Sequence, residues 1–339
     1  MFWHFDQLKW WSYYTHRGEN YGGEFGLRIF NGNYASLMSS MKNLKKEWFS
    51  ETNRKHWGEL DSVYPLTTMS NLSSCNFDWE MRCPSDLRFH KINDHYVISK
   101  YVLLQTAHFL PHVPENHKCR RLHGHNFGLW ISIKTKIFDN QTSQMIDHLN
   151  TCCEDIKDEL DHCILNDIKG LDNPTSENIT LWIYTKLTAR SLDIFNIFCI
   201  ETEASAACYH GNNMWTCWKS FDFESVWRPS SDTISGHSFK LTAGVTGGLV
   251  KPYDWVLDFS EIKLQIKPLI DQVDHQDLSN ILEGRVNSCE GLLDWFSQKS
   301  SPQNKYDFCL QFLPTRGAYR IESISQLSGA IPYLDWRMR

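Results

Sequence analysis

Two hydrophobic periods alternate along the middle of this chain and predict its elements. Residues 101–109 and 125–137 are rich in apolar and β-branched side chains, and Phe127, Leu129, Ile131 and Ile133 fall at every second position. A period of two is that of a strand, so these stretches predict a strand pair with residues 112–121 as the loop between them. Ile146, Leu149, Cys153, Ile156 and Leu160 then recur at intervals of three and four, the face of a helix ending near Asp161-His162. Asn173, Pro174 and Thr175 offer start chemistry for a second helix, whose apolar side is Ile179, Trp182, Ile183 and Leu187. Residues 194–202 and 206–210 return to strand.

The same order recurs downstream. Gly124-His125-Asn126-Phe127 is repeated as Gly236-His237-Ser238-Phe239, 112 positions on, and Asp161-His162 as Asp274-His275, 113 positions on. Glu177 is matched by Glu290 and Phe198-Cys199 by Phe308-Cys309. Four landmarks in one order at nearly one spacing indicate a tandem duplication. In the second copy Phe259, Ile262, Ile266, Leu269 and Val273 line the first helix, which Pro268 is expected to kink. Separate runs of strand and helix make the class α+β. The expected organisation is an N-terminal extension over 1–93, a first unit over 94–213 and a second over 214–339. In the extension, Leu37, Met41, Leu44 and Trp48 sit at helical spacing after Asn33, a plausible cap. Trp3, Trp10 and Trp11 suit packing, Cys75 and Cys83 suit free thiols, and the region is read as unrelated to the two copies and without assigned activity.

Composition narrows the class further. The 339 residues carry 41% hydrophobic and 14% aromatic side chains, ample for buried cores. A formal charge of −6 gives no general attraction to nucleic acid or to an anionic membrane, so a polyanionic ligand needs a local basic pocket. Eleven scattered cysteines in a chain this long read as reduced thiols of a cytoplasmic protein. Neither a signal peptide nor an apolar run long enough to span a bilayer is visible.

Candidate chemistry concentrates between His108 and His125. His123 and His125, two apart on a strand, put both rings on one face, and His108 from the neighbouring strand makes a third nitrogen. A three-histidine site with its fourth position open is the catalytic Zn²⁺ arrangement. Cys119 lies beside Lys118, Arg120 and Arg121, whose charge is expected to lower the thiol pKa. His162 can shuttle a proton with Asp161 fixing its tautomer.

The stretch Ala107-His108-Phe109-Leu110-Pro111 … His117-Lys118-Cys119-Arg120-Arg121-Leu122-His123-Gly124-His125 resembles the 6-carboxytetrahydropterin synthase and 6-pyruvoyltetrahydropterin synthase family. Leu160-Asp161-His162, Leu165-Asn166-Asp167, Asn173-Pro174-Thr175-Ser176-Glu177 and Glu201-Thr202 add to it, closely over 95–211 and weakly over 221–322. The resemblance implies tunnelling-fold (T-fold) units, each a four-stranded antiparallel sheet with two helices, joined side by side into a barrel. It implies Zn²⁺ on His108, His123 and His125, Cys119 as base, Asp161-His162 as its proton partner, and Glu201 with Thr202 as the pterin anchor. The implied substrate is 7,8-dihydroneopterin triphosphate. The Cys-x-x-x-His-Gly-His spacing resembles the carboxy branch, which acts in 7-deazaguanine (queuosine) biosynthesis.

The second unit departs from the pattern. Val226-Trp227 stands for Ala107-His108, Ser235 for His123 and Gln311 for Glu201, leaving His237, Asp274 and His275. The second unit is therefore expected to bind no metal alone. In the resembled family the cysteine and the Asp-His pair of one site come from neighbouring subunits, so Asp274-His275 are candidates to complete the Cys119 site. The remaining alternatives are the pyruvoyl-forming reaction and a pterin-binding or assembly protein without turnover. Sheets left unclosed in one chain predict a homo-oligomer.

Overall fold

The computed structural model describes residues 2–16, 19–31, 78–83, 86–92, 95–136, 142–230, 233–282, 288–300, 305–313 and 316–320. The helix expected around Leu37–Trp48, and Cys75, lie outside them. In chain order the elements are β1 (Phe2–His16), β2 (Glu19–Asn31), β3 (Asp78–Cys83), β4 (Leu87–Ile92), β5 (His95–His108) and β6 (His123–Thr135). Then come α1 (Thr142–Leu160), α2 (Ser176–Thr188), β7 (Ile194–Thr202), β8 (Ser205–Tyr209), β9 (Trp215–Ser230) and β10 (Thr233–Gly247). The chain continues through α3 (Phe259–Val273), β11 (Gln276–Asp277), α4 (Leu278–Ile281), α5 (Cys289–Lys299), β12 (Tyr306–Leu313) and β13 (Arg316–Arg320).

Each unit follows the order β–β–α–α–β–β that its hydrophobic pattern dictates, the second with short β11 and α4 inserted between its two main helices. β5 and β6 pair antiparallel in continuous register from Tyr96↔Thr135 to His108↔His123. One face of this sheet carries Leu104, Phe127, Leu129 and Ile131 against Ile146, Leu149, Ile156, Ile179 and Ile183 of α1 and α2. In the second unit Phe223, Phe239 and Leu241 pack on Ile262, Ile266 and Ile270 of α3 and on Leu292, Leu293 and Phe296 of α5. Each fully buried side chain of this kind contributes about 1.5–3 kcal/mol. Helix α3 runs unbroken through Pro268. Gly244 is register partner of Trp218, and a Cβ there would lie 2.1 Å from the indole, so only glycine lets that ring cross the strand.

The described strands form one sheet that meets itself. The order β1-β2-β3-β4-β5-β6-β7-β8-β9 is continued by β9–β10, β10–β12, β12–β13 and β13–β1 pairings, with two-residue β11 added beside β9. Twelve strands therefore close a ring within one chain. The first unit supplies β5 to β8 and the second β9, β10, β12 and β13. The other four, β1 to β4, come from the N-terminal 93 residues in the same hairpin-then-hairpin order. The segment read from sequence as an unrelated extension thus fills the third place in the ring. The open edges on which the homo-oligomer expectation rested are paired internally among the described residues. No helix among them is long and apolar enough to cross a membrane.

The boundary between first and second units is polar and specific. Glu177, in the first turn of α2, is buried and its Oε1 accepts the Val256 N–H at 3.0 Å. Trp215 Nε1 donates to the Glu177 carbonyl at 3.2 Å and to Thr180 Oγ1 at 3.1 Å. Burial pushes the Glu177 carboxyl from 4.5 up to about 7, with the Val256 N–H opposing. A carboxyl raised by folding contributes its full stability below about pH 4.5 and loses it as pH rises through about 7. Stability should therefore fall by about 3 kcal/mol between pH 4.5 and 8 from this group alone. Glu177→Gln keeps the acceptor and should flatten that decline, as read by urea unfolding at pH 5 and pH 8.

Candidate active site

β5 ends on His108 and β6 begins on His123, its register partner, with Thr106 opposite His125. Ring centroids lie 4.5 Å apart for His108–His123, 5.2 Å for His108–His125 and 5.0 Å for His123–His125. One nitrogen from each ring lies within 4.8 Å of the other two. Two of their other nitrogens are tied to carbonyls: His108 Nδ1 donates to Pro174 O at 2.8 Å and His123 Nδ1 to Arg121 O at 2.7 Å. A carbonyl only accepts, so His108 and His123 keep their protons on that side and present a bare Nε2 to the centre. Nε2 of His108 and of His125 are buried with no hydrogen-bond partner among the described residues. Burial pushes the His108 pKa down to about 4 and lowers that of His125, which favours the neutral, ligating imidazole. Inward lone pairs that water cannot reach fit a divalent cation, and three nitrogen donors fit Zn²⁺.

The Asn-Pro-Thr-Ser-Glu segment is the scaffold of this cluster. Thr175 caps α2 by accepting the Asn178 N–H at 3.1 Å, which fixes the Pro174 carbonyl under His108. Ser176 Oγ donates to Glu201 Oε2 at 2.6 Å and holds that carboxylate at the end of β7.

Cys119 sits in a single 3₁₀ turn, Lys118–Arg120, and is a free thiol. It lines a cavity of about 1030 Å³ together with His123, His125, Glu201 and Thr202. Another wall is second-unit: Lys219 of β9, Asp258 at the N-terminal cap of α3, and Lys263 and Lys267 on α3. The charge expectation for the thiol reverses. Burial and then Glu201 push the Cys119 pKa up, and Lys118 only opposes them. Arg120 does not line the cavity, because its Nη1 donates to Pro111 O at 2.6 Å and Val113 O at 2.9 Å.

Asp161 and His162 do not line the cavity. Asp161 Oδ1 accepts the Gln105 N–H at 2.6 Å, and the exposed His162 ring lies 3.1 Å from Asp161 Oδ2. His162 instead lines a separate cavity of about 650 Å³ that shares only His125 with the first. Asp274 and His275 repeat this geometry on the second unit: Asp274 Oδ1 accepts the Glu224 N–H at 3.0 Å, and His275 Nδ1 lies 2.9 Å from it. Both histidines adopt a φ of 55° at the turn. Asp274 and His275 do not line the Cys119 cavity either, but they follow α3, the helix that forms part of its wall.

The second unit keeps the register without the ligands. Trp227 pairs with Ser235 as His108 pairs with His123, and Ser225 with His237 as Thr106 with His125. Trp227 stacks on Phe239 at 5.7 Å, Phe312 packs 5.7 Å from both Trp227 and His237, and Ser235 Oγ lies 3.1 Å from His237 Nε2. Aromatic rings thus fill the place that imidazoles hold in the first unit. The second-unit wall residues escaped the sequence reading. Lysines on an exposed helix face, like an aspartate before a helix, carry no signal of which neighbour they meet.

The model of the family described as 6-pyruvoyl tetrahydropterin synthase matches residues 97–212 and 220–311, more than half of the chain. A 6-carboxy-5,6,7,8-tetrahydropterin synthase of Synechocystis sp. is 36% identical over 124 residues, spanning 34% of this chain and 92% of that protein. A dihydroneopterin monophosphate aldolase of Pyrococcus furiosus is 34% identical over 76 residues, 22% of this chain and 64% of its own length. Among solved structures, the 6-pyruvoyl tetrahydropterin synthase of Caenorhabditis elegans aligns at 22% identity and a TM-score of 0.31, covering 34% of this chain and 95% of that one. With both segments matched in tandem, the chain belongs to the 6-pyruvoyl tetrahydropterin synthase family and is an enzyme of the lyase class.

Proposed function

We propose that the chain is a Zn²⁺-dependent 6-carboxytetrahydropterin synthase that converts 7,8-dihydroneopterin triphosphate to 6-carboxytetrahydropterin in 7-deazaguanine (queuosine) biosynthesis, in the cytoplasm. The observation that carries this reading is the convergence of three imidazoles, two of them oriented by carbonyls, beside a cavity that also holds Cys119 and Glu201. The Synechocystis relative bears that name, and the Cys-x-x-x-His-Gly-His spacing favours the same branch.

His108, His123 and His125 would hold the metal, which when bound supplies a Lewis acid for the substrate side-chain oxygens. Glu201, held by Ser176, offers a carboxylate edge to the N3–H and 2-amino groups of the pterin, with Thr202 beside it. Cys119 is assigned as the base that takes the side-chain proton, which requires its thiol to ionise against the burial that raises its pKa. Asp274-His275 are assigned as its proton partner in preference to Asp161-His162, because their helix borders the cavity. Lys118, Arg121, Lys219, Lys263 and Lys267 line the cavity and suit a triphosphate. Burial, and then Lys118 and Lys263, push the Lys219 ammonium pKa down, as expected where cations crowd without enough counter-charge. Further copies of the chain are its other proposed partners, joined through surfaces other than sheet edges.

The test is incubation of the metal-analysed protein with 7,8-dihydroneopterin triphosphate and mass spectrometry of the products. The expected product is 6-carboxytetrahydropterin. A 6-pyruvoyl product would replace the reaction, and bound metal with unconsumed substrate would make the chain a pterin binder.

A further inference from the structure

We infer that Asp258 of the second unit, acting through His117, positions the turn that carries Cys119. This deepens the proposed function and rests on its assignment of Cys119 as the base. Cys119 is pinned through its main chain on both sides. Its carbonyl accepts the Leu110 N–H at 2.8 Å, and its own N–H donates to His117 Nδ1 at 3.2 Å. Nδ1 accepts only when the ring proton is on Nε2. That Nε2–H points at Asp258 Oδ2, 3.2 Å away. Asp258 therefore selects the tautomer that lets His117 hold Cys119.

The carboxylate is itself fixed. Asp258 Oδ1 accepts the Ser260 N–H at 2.7 Å and caps α3, so its two oxygens serve two different elements. The segment leading to it is fastened to the first unit rather than resting against it. Thr175 Oγ1 donates to Asp254 O at 2.8 Å, Asn173 Nδ2 donates to Tyr253 O at 2.8 Å, and His112 Nδ1 lies 3.0 Å from Pro252 O. His117 and Asp258 also line the cavity that Cys119 faces, so the coupling acts at the wall of the site. His117 and Asp258 are positioning residues, and the second unit serves the first through them although aromatic rings fill its own metal position.

Asp258→Ser separates this role from the helix cap, since serine caps as well as aspartate but is too short to reach His117. The expected result is an unchanged melting temperature and metal content, KM within about twofold, and kcat lowered about 10- to 100-fold. Alkylation of Cys119 by iodoacetamide in the metal-loaded protein, followed by peptide mass spectrometry, should rise at least about threefold as the turn loosens. His117→Ala should give the same losses, and the double variant should be no worse than either single one. Asp258→Asn, whose amide can satisfy Ser260 or His117 but not both, gives the same readouts should the serine variant not fold. Unchanged kcat and alkylation in these variants, or a double variant whose losses multiply, would overturn the inference. Alkylation needs no turnover, so a wild-type protein that fails on the pterin triphosphate sinks the proposed reaction while the positioning of Cys119 is still decided.

Discussion

Cys119→Ala is expected to leave a folded protein with its full complement of zinc and to lower kcat by about 10² to 10⁴-fold, the range for loss of a positioned base. The separation follows from the architecture. The three imidazoles belong to the ends of β5 and β6, with the outer nitrogens of His108 and His123 fixed by Pro174 and Arg121. Cys119 belongs to the intervening turn, which is held by Leu110, His117 and the Arg120 contacts. Deleting its sulfur removes no donor from the metal cluster. His123→Ala should do the reverse, losing metal and turnover together, because two nitrogen donors no longer hold Zn²⁺ firmly. Atomic emission for zinc and steady-state kinetics on both variants read the difference. Loss of zinc from the Cys119→Ala protein would make the sulfur a ligand instead and would remove it from the role of base.

The second large effect distinguishes two Asp-His pairs that are nearly superimposable by their local bonds. His275→Ala is expected to cost about 10² to 10³-fold in kcat, and His162→Ala less than about twofold. Both pairs follow a unit's first helix and both carboxylates accept a strand N–H. Their neighbours differ. Asp274-His275 follow α3, whose Ser260, Lys263, Lys267 and Pro268 line the cavity with Cys119. His162 lines the other cavity, with Gln105, Ala107 and Asn126. Each histidine side chain is about three-quarters exposed, so neither substitution should unfold the protein. Lost turnover in the His162 variant with normal turnover in the His275 variant would return the proton relay to the first unit alone.

What the sequence revealed and what it hid divide along physical lines. The elements of both units were legible because a buried sheet face and a helix stripe impose their periods on the residues, as at Phe127–Ile133 and Ile146–Leu160. The cluster of three histidines was legible because its members are close in sequence and stand on paired strands. The Cys119 pKa direction was misjudged from its basic neighbours. Arg120 turns away to two carbonyls, while burial, and then the charge of Glu201, distant in sequence, push the thiol up. Asp258 and the lysines of α3 were invisible for a similar reason: what they do is set by the pairing of β8 with β9, which brings the units together. The place of the N-terminal strands was hidden because strand partnership is decided by register across the sheet, and β1 and β2 carry none of the chemical landmarks that revealed the duplication.

Ring closure at β13–β1 brings Trp3 opposite Tyr319, so nearly the whole polypeptide is a loop spanned by one short antiparallel seam. Bringing such distant segments together costs about 5 kcal/mol of chain entropy, whereas each hairpin within a unit costs far less. Folding order follows from that inequality: the hairpins and their helices form locally, the units dock in sequence, and the seam zips last. The same seam lies far along the strand order from β6 to β9. The Cys119 cleft, lined from β6, β7, β8 and β9, therefore lies on the opposite side of the ring from the last contact to form.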